Sequence, residues 1–98
     1  MTPAAGEIWL ADRGEATRRL VYVISDARFH RLAERAVIAP VLDAMPAAPR
    51  PWHVPVGDHA IAVNQFGTTI VGRLLELVDR PGFETLRQVR FAVREITN

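Results

Sequence analysis

Two adjacent arginines, Arg18 and Arg19, are the side chains in this sequence best suited to chemistry. They end a short charged loop, and the apolar run 20–24 that follows them is typical of a strand. A guanidinium is always charged and can hold a phosphate group through two hydrogen bonds. Side chains alternate along a strand, so only one of the two arginines should face a given site. We therefore predict a phosphate-handling site where this strand begins.

The amino-acid composition limits the classes of protein to which this chain can belong. With 98 residues, 49% of them hydrophobic, residues 1–98 are expected to form one domain with a modest core. The chain has no cysteine, which excludes disulfides and thiolate metal sites. No apolar run approaches the roughly 20 residues of a membrane span, and the first residues do not resemble a secretory signal. These features favour a cytoplasmic protein.

Arginine supplies all 12 basic residues, and the formal net charge is +1. A charge so close to zero is not by itself a sign of nucleic-acid binding. Codon usage in a GC-rich genome would give the same arginine bias. Each cation is nonetheless a planar fork that suits phosphate.

Short runs of branched and aromatic side chains, bounded by turn residues, predict a mainly β fold. The predicted strands cover residues 6–11, 19–25, 36–42, 52–56, 59–63 and 69–75, the last of which can continue to residue 78. A short helix or turn is predicted over 26–35, a loop over 43–51 and a helix over 82–96. Pro40 has no N–H, so it needs an edge or bulge position within its strand.

The order of these elements indicates the architecture. Short strands followed by one terminal helix suggest a small, strongly bent sheet or barrel with the helix packed on it. Apolar residues recur every three or four positions along that helix, at Phe83, Leu86, Val89, Val93 and Ile96. Such a barrel is too small to hold a ligand inside, so function is expected on loops and outer grooves.

Four segments of the chain resemble one family. They are Gly6–Asp12, Arg19–Asp26, Ala36–Val41 and Ala62–Phe66. They are similar in turn to the opening strand, the "RPvvVlSnd" strand, the third core strand and the "v…Q-i/v-r" segment of the MazF/PemK toxins of bacterial toxin–antitoxin pairs. The resemblance runs over nearly the whole chain, including the final helix.

The resemblance implies a fold, an activity and partners. The fold would be the SH3-like barrel of the MazF and CcdB toxins. The activity would be sequence-selective cleavage of single-stranded RNA without a metal or other cofactor. The partners would be a second copy in a homodimer, an antitoxin with an acidic C-terminal tail and single-stranded RNA, with no membrane. The alternatives on the same fold are a toxin that binds a protein target such as DNA gyrase, as CcdB toxins do, and a homologue that has lost catalysis.

The resemblance also suggests roles for individual residues. Arg19 matches the catalytic arginine of the family, which stabilises the charge of the phosphorane. Arg18 is the neighbouring candidate, Arg13 could hold an adjacent phosphate and Gln65 could contact an RNA base or backbone. For each of these residues, a solvated surface side chain is the alternative.

Three departures from the family pattern bear on this chemistry. The loop 13–18 is short and lacks the usual Gly-Ser-Glu type of sequence, and Leu20 stands in place of a proline. Leu42 stands where the third strand usually ends in a Thr or Ser that joins the catalytic arginine. The fold and the partners tolerate these changes, whereas the loss of the hydroxyl puts the cleavage chemistry in question.

Other side chains are candidates for the missing acid or base. Metal-free cleavage uses the ribose 2′-OH as nucleophile, so a base must take its proton. Asp43 could act as this base, although a carboxylate also repels phosphate. Ser25, at the end of the second strand, is a further catalytic candidate, with turn capping as its alternative role.

The histidines and Trp52 have weaker patterns. An imidazole is a natural acid or base near neutral pH, but His30, His53 and His59 lie in no paired motif and have no zinc-site spacing. Trp52 could stack on an RNA base, with core or dimer packing as the alternative.

Arg28, Arg31 and Arg35 would form one basic stripe if residues 26–35 are helical. A solvated face is the default interpretation of such a stripe. The functional alternatives are a track for RNA and a dock for an acidic antitoxin tail.

Overall fold

The computed structural model describes residues 1–12, 14 and 17–97. Its strands are β1 (Ile8–Asp12), β2 (Arg18–Val23), β3 (Arg35–Leu42), β4 (His53–Val56), β5 (His59–Ala62), β6 (Gly67–Ile70) and β7 (Leu74–Asp79). Its helices are α1 (Ala27–Ala33) and α2 (Phe83–Thr97), with 3-10 turns at Val63–Gln65 and Val71–Arg73. None of the described helices is long and apolar enough to cross a membrane.

The strands form one antiparallel, strongly bent sheet in the order β4-β5-β3-β2-β1-β7, with β6 paired to β3. The bend comes from β3, which changes its partner along one edge. Its first half, from Arg35 to Ile38, pairs with β6, and its end, at Val41 and Leu42, pairs with β5. The predicted mainly β fold with a C-terminal helix is thereby confirmed.

Pro40 lies where β3 changes partner. The carbonyl of Val37 accepts the N–H of Ile24, so the polar backbone groups of Val37 point toward the β2 edge. Alternation along the strand then directs the nitrogen of Pro40 to the opposite edge. On that edge it falls between the last residue paired with β6 and the first paired with β5. The proline therefore interrupts no ladder, although β3 is not an edge strand.

The single strand predicted over residues 69–75 is wrong. The chain forms β6 as far as Ile70, turns at Val71–Arg73 and begins β7 at Leu74. The two strands have different partners, since β6 pairs with β3 and β7 with β1. The N–H of Val71 donates to the carbonyl of Glu34 at 3.1 Å, which holds the turn against the end of α1. The apolar run continues through this turn, so the pattern alone cannot reveal the break.

The two faces of β1 and β2 bury two separate apolar clusters. One cluster contains Ile8 and Tyr22 and is covered by α2 through Val89 and Ala92. The other cluster contains the alternate residues, among them Trp9, Val21, Val23, Ile38 and Leu74. This period of two is what a sheet covered on both sides requires.

Two residues of the predicted helices lie elsewhere than expected. The sequence pattern puts Phe83 on the apolar face of the last helix, but the residue is 75% exposed at the start of α2. The pattern also puts Arg35 on a stripe with Arg28 and Arg31, but α1 ends at Ala33 and Arg35 is the first residue of β3. Glu34 adopts the left-handed conformation (φ 57°) that ends the helix. Of the three arginines predicted to form a basic stripe, only Arg28 and Arg31 therefore lie on α1.

Tyr22 is buried completely, and its hydroxyl has no hydrogen-bond partner among the described residues. Burial raises the pKa of this phenol to about 12 from 10.0, while the charge of Arg90 opposes the shift. We expect Tyr22→Phe to raise the free energy of unfolding by about 1 kcal/mol, because it removes an unsatisfied buried O–H. Urea unfolding at neutral pH measures this change, and clear destabilisation would contradict it.

The raised pKa of Tyr22 adds a second readout for the same variant. The unfolded phenol ionises near pH 10 while the folded one keeps its proton to about pH 12. Stability should therefore fall between these values in the wild type, and Tyr22→Phe should weaken the fall.

Glu7 is a buried carboxylate with three donors. One oxygen accepts the N–H of Ala4 at 2.7 Å and the indole N–H of Trp9 at 3.0 Å. The other oxygen accepts Nε of Arg80 at 2.9 Å. Glu7 thus ties the start of the chain to β1 and to the segment between β7 and α2.

Candidate active site

A groove of about 340 Å³ lies across β2, β3 and β6 where β2 begins. Val21, Ile38 and Pro40 supply its apolar lining, and Arg19 and Gln65 are its largest polar side chains. The remaining lining residues are Gly14, Thr17, Gly67 and Thr68. We call this depression the Arg19 groove.

A second depression, of about 490 Å³, joins the Arg19 groove near the end of β3. Arg19, Pro40 and Gln65 line both, so the two depressions adjoin. Arg18 and Asp43 line the second depression alone. We predicted that only one of the two arginines faces a given site. Arg19 alone lines the Arg19 groove, but both arginines line the second depression. Arg19 lies at the junction.

Alternation along β2 gives Arg19 the same face as the buried Val21. Val21 pairs with Pro40 of β3, and the same register extended by two residues leads from Arg19 to Leu42. Leu42 lines the second depression together with Arg19. An apolar side chain therefore lies beside Arg19 where the family pattern would supply a hydroxyl.

Two hydrogen bonds join described residues between β1 and β2. The N–H of Gly14 donates to Oδ1 of Asp12 at 2.9 Å, and the N–H of Thr17 donates to the carbonyl of Gly14 at 3.1 Å. Gly14 has φ +79°, a conformation that residues with a Cβ rarely adopt. Gly14 and Thr17 both line the Arg19 groove.

The arginines of the site are not held in ion pairs by the described residues, although two aspartates lie nearby. Neither Arg18 nor Arg19 makes an ion pair within residues 1–12, 14 and 17–97. Asp12 lies opposite Arg18 in the β1–β2 register, and Asp43 lines the same depression as both arginines. An anion that enters the groove therefore meets the guanidinium of Arg19 without displacing an ion-pair partner among these residues.

Four of the residues predicted for the site come together here, namely Arg18, Arg19, Asp43 and Gln65. Arg13 lies outside the described residues.

Ser25 lies beyond the opposite end of β2, six residues from Arg19, which is roughly 20 Å at the rise of a strand. Its hydroxyl donates to Nε2 of His30 at 2.6 Å and accepts the N–H of Val37 at 2.8 Å. Nδ1 of the buried His30 donates in turn to the carbonyl of Pro3 at 2.7 Å. The structure does not bring Ser25 to Arg19; instead, Ser25 and His30 link the chain start, α1 and β3.

Trp52 and the other two histidines lie outside the lining of the groove. Trp52 is half-buried and packs against the cluster covered by α2. Nδ1 of His53 accepts the N–H of Arg50 at 2.9 Å, and Nδ1 of His59 donates to the carbonyl of Leu42 at 3.2 Å. These contacts favour the packing alternative for Trp52 and local structural roles for the two imidazoles.

The structure adds three polar side chains that the sequence analysis missed. Thr17 and Thr68 line the Arg19 groove. Arg73 reaches its rim, since a Cβ on Gly14 would lie 3.8 Å from Nη1 of Arg73. Thr17 could have been found because it precedes Arg19 by two residues and therefore shares its strand face. The positions of Thr68 and Arg73 depend on the break between β6 and β7, which the pattern did not reveal.

No model of a protein family matches the sequence, and no curated protein matches it significantly. Solved structures do match over almost the whole chain. A chain of the MazE–MazF complex from Deinococcus radiodurans superposes with a TM-score of 0.83 at 20% identity, over 98% of this chain and 96% of that chain. An endoribonuclease in complex with its cognate antitoxin, from a mycobacterial species, gives 0.82 at 14% identity, over 95% and 92%.

The Mycobacterium tuberculosis toxin MazF-mt6 gives a TM-score of 0.76 at 14% identity, over 91% of this chain and 93% of that chain. Because these sequence identities are low, the similarity lies in the backbone, which superposes on that of the solved structures over almost the whole chain. The chain therefore has the fold of the MazF toxins, as the four sequence segments predicted.

Proposed function

We propose that this protein is the toxin of a toxin–antitoxin pair, and that it cleaves single-stranded RNA at the Arg19 groove without a metal ion. The observation that carries the proposal is the guanidinium of Arg19, which lies unpaired among the described residues at the junction of two depressions. The fold shared with the MazF toxins and with mycobacterial endoribonucleases supports the same activity.

The proposed reaction is attack of a ribose 2′-OH on the adjacent phosphorus. The P–O bond to the 5′ oxygen breaks, which leaves a 2′,3′-cyclic phosphate and a 5′-hydroxyl. Arg19 stabilises the extra negative charge of the phosphorane. Asp43 takes the proton of the 2′-OH, and water in this open groove supplies a proton to the leaving oxygen.

Arg18 and Gln65 would bind the RNA on either side of the reacting phosphate. Arg18 lines the second depression only, so it suits a neighbouring phosphate. Gln65 lines both depressions and offers an amide that can donate to and accept from a base edge. These roles assign the sequence selectivity of the proposed nuclease to the residues around Arg19.

The proposal includes a homodimer in the cytoplasm and an antitoxin with an acidic tail. The MazE–MazF complexes among the structural neighbours support the antitoxin, and the arginines of the groove offer an acidic peptide the same charge that they offer RNA. An antitoxin tail in the groove would then inhibit the toxin by occupying the RNA site.

Incubation of the purified protein with a long unstructured RNA in EDTA tests the proposal. We expect discrete cuts with 2′,3′-cyclic phosphate and 5′-hydroxyl ends. Intact RNA at high concentrations of folded, antitoxin-free protein would contradict it.

Intact RNA would favour the second candidate, a toxin of the same fold that binds a protein target such as DNA gyrase. The observation that favours this candidate is the apolar side chain of Leu42 in the depression beside Arg19. Inhibition of DNA supercoiling by gyrase, measured with the same protein preparation, separates the two candidates.

A further inference from the structure

The Arg19 groove continues in the direction away from Asp43. A third depression, of about 290 Å³, is lined by Arg35, Thr68, Thr69, Ile70 and Arg73. Thr68 also lines the Arg19 groove, so the two are adjacent. The three depressions adjoin in series, with Asp43 in the second depression and Arg35 in the third, and we call this series the track.

Arg73 lies between the Arg19 groove and the third depression. Its backbone belongs to the turn before β7, and it lines the third depression. Its Nη1 approaches Gly14, which lines the Arg19 groove. The guanidinium thus reaches from the turn to the rim of the groove that holds Arg19.

Two elements hold Arg35 and Arg73 on the same depression. Arg35 pairs with Ile70 at the end of the β3–β6 ladder. The N–H of Val71 donates to the carbonyl of Glu34, which fixes the turn that carries Arg73 next to the start of β3. The two arginines are 38 positions apart in the numbering (35 and 73) and meet because of this pairing.

The third depression is positively charged. Neither Arg35 nor Arg73 makes an ion pair with any residue in the described part of the chain, and Glu34, next to Arg35, makes none either. By contrast, Arg80 and Arg87 each pair with a glutamate. The β2–β3 register, extended by two residues, puts Arg19 opposite Leu42, which is seven residues of β3 from Arg35, or roughly 23 Å. That span exceeds one nucleotide of an extended strand, so an RNA phosphate bound here is not the one that reacts.

We propose that Arg35 and Arg73 form a phosphate-binding subsite for single-stranded RNA, separate from the reacting phosphate at Arg19. This inference rests on the proposed function for its choice of ligand. The subsite binds the RNA backbone more than one nucleotide away from the cut, and it gives the strand a fixed direction along the track. Its loss weakens the binding of RNA.

Binding of a fluorescent single-stranded RNA, measured by anisotropy over a series of salt concentrations, tests the subsite. For single strands, log K falls with log salt at a slope of about −0.7 for each phosphate contact. We expect the double variant Arg35→Gln/Arg73→Gln to bind roughly tenfold more weakly at low salt and to lose about 1.4 from the magnitude of the slope. The RNA carries 2′-O-methyl groups, so the measurement does not depend on cleavage.

The charge-matched control is Arg90→Gln/Arg94→Gln, which removes two exposed arginines from α2. We expect the control to keep the wild-type slope. Equal losses in the two double variants would overturn the subsite, because they would report only the net charge. Weaker binding of polyglutamate with unchanged RNA binding would overturn it as well, in favour of an acidic protein tail.

A cleavage assay separates the subsite from the proposed nuclease. On long RNA the double variant should raise KM, and the single variant Arg35→Gln, whose side chain lines the third depression and not the Arg19 groove, should raise KM with kcat unchanged. On oligonucleotides shortened from one end, wild type and variant should become equal, and the end at which this happens gives the direction of the strand. A protein that shows the expected slopes but cuts no RNA refutes the nuclease and not the subsite. A protein that cuts RNA with equal KM in both forms refutes the subsite and not the nuclease.

Discussion

Under the proposed mechanism, Arg19→Ala is expected to lower the rate of RNA cleavage by about 10²–10³-fold, because it removes the charged donor that is proposed to face the phosphorane. The guanidinium of Arg19 has no ion-pair partner among the described residues, so it can bind an anion in the groove without first breaking such a pair. The measurement is single-turnover cleavage in EDTA with enzyme in excess, which reports the chemical step. Since Arg19 is exposed at the start of β2, the variant should fold normally.

Arg18→Ala is the matched control for this prediction. It removes the same side chain one position away, from the strand face that does not line the Arg19 groove. An exposed charge contact contributes about 1 kcal/mol or less, so its loss should change KM by less than about tenfold and leave the chemical step intact. Arg19→Lys keeps a positive charge but not the two-pronged hydrogen bonding, so it should recover part of the rate. Wild-type cleavage by Arg19→Ala, or equal losses in the two alanine variants, would show that Arg19 has no special role.

Much of this site follows from local rules that act along one strand. Alternation places Arg19 on the face of Val21, and Oδ1 of Asp12 accepts the N–H of Gly14, which lines the groove. The fold class also follows from local patterns, because the apolar runs and the final amphipathic helix are strong signals. Each of these features is determined by residues only a few positions away in the sequence.

The remaining features depend on pairing between distant segments. Arg73 reaches the groove only because the chain breaks at Val71–Arg73 between two strands with different partners. Ser25 was expected beside Arg19, but a strand has two ends, and its hydroxyl is engaged at the far one by His30. A sequence pattern does not indicate which loops lie near each end of a strand, so it could not show that Ser25 is far from Arg19.

The contacts of Glu7, which bear on stability, also depend on a distant segment and could not be predicted from the sequence. A glutamate at the start of an apolar strand looks like a solvated residue, but its side chain is only 8% exposed and binds Arg80, 73 positions away. Its partners are a backbone N–H and an indole N–H that have no other acceptor in the described part of the chain. Burial of a carboxylate is unfavourable unless it is paired in this way.

Glu7→Ala is accordingly expected to lower the free energy of unfolding by about 2–4 kcal/mol, because it leaves the indole N–H of Trp9 and the N–H of Ala4 unsatisfied. Glu7→Gln keeps one carbonyl oxygen for these two donors and loses the charge that faces Arg80, so its effect should be smaller. Urea unfolding at neutral pH measures both. The control is Glu84→Ala, which breaks an exposed pair with Arg87 and should leave stability almost unchanged. Equal effects at Glu7 and Glu84 would contradict the role of Glu7.

The pH dependence of stability tests the charge of Glu7 separately from its size. Burial raises the pKa of this carboxyl, but hydrogen bonds from Ala4, Trp9 and Arg80, together with the charge of Arg80, outweigh burial and lower it below 4.5. The unfolded chain therefore binds the proton first as the pH falls. The stability that the carboxylate contributes is complete above pH 4.5 and is lost as the pH falls through the folded pKa. Glu7→Gln has no carboxylate to titrate, so its deficit relative to the wild type should shrink on acidification from about pH 6 to about pH 3. A deficit that stays constant over this range would mean that the side chain acts through its shape and hydrogen bonds and not through its charge.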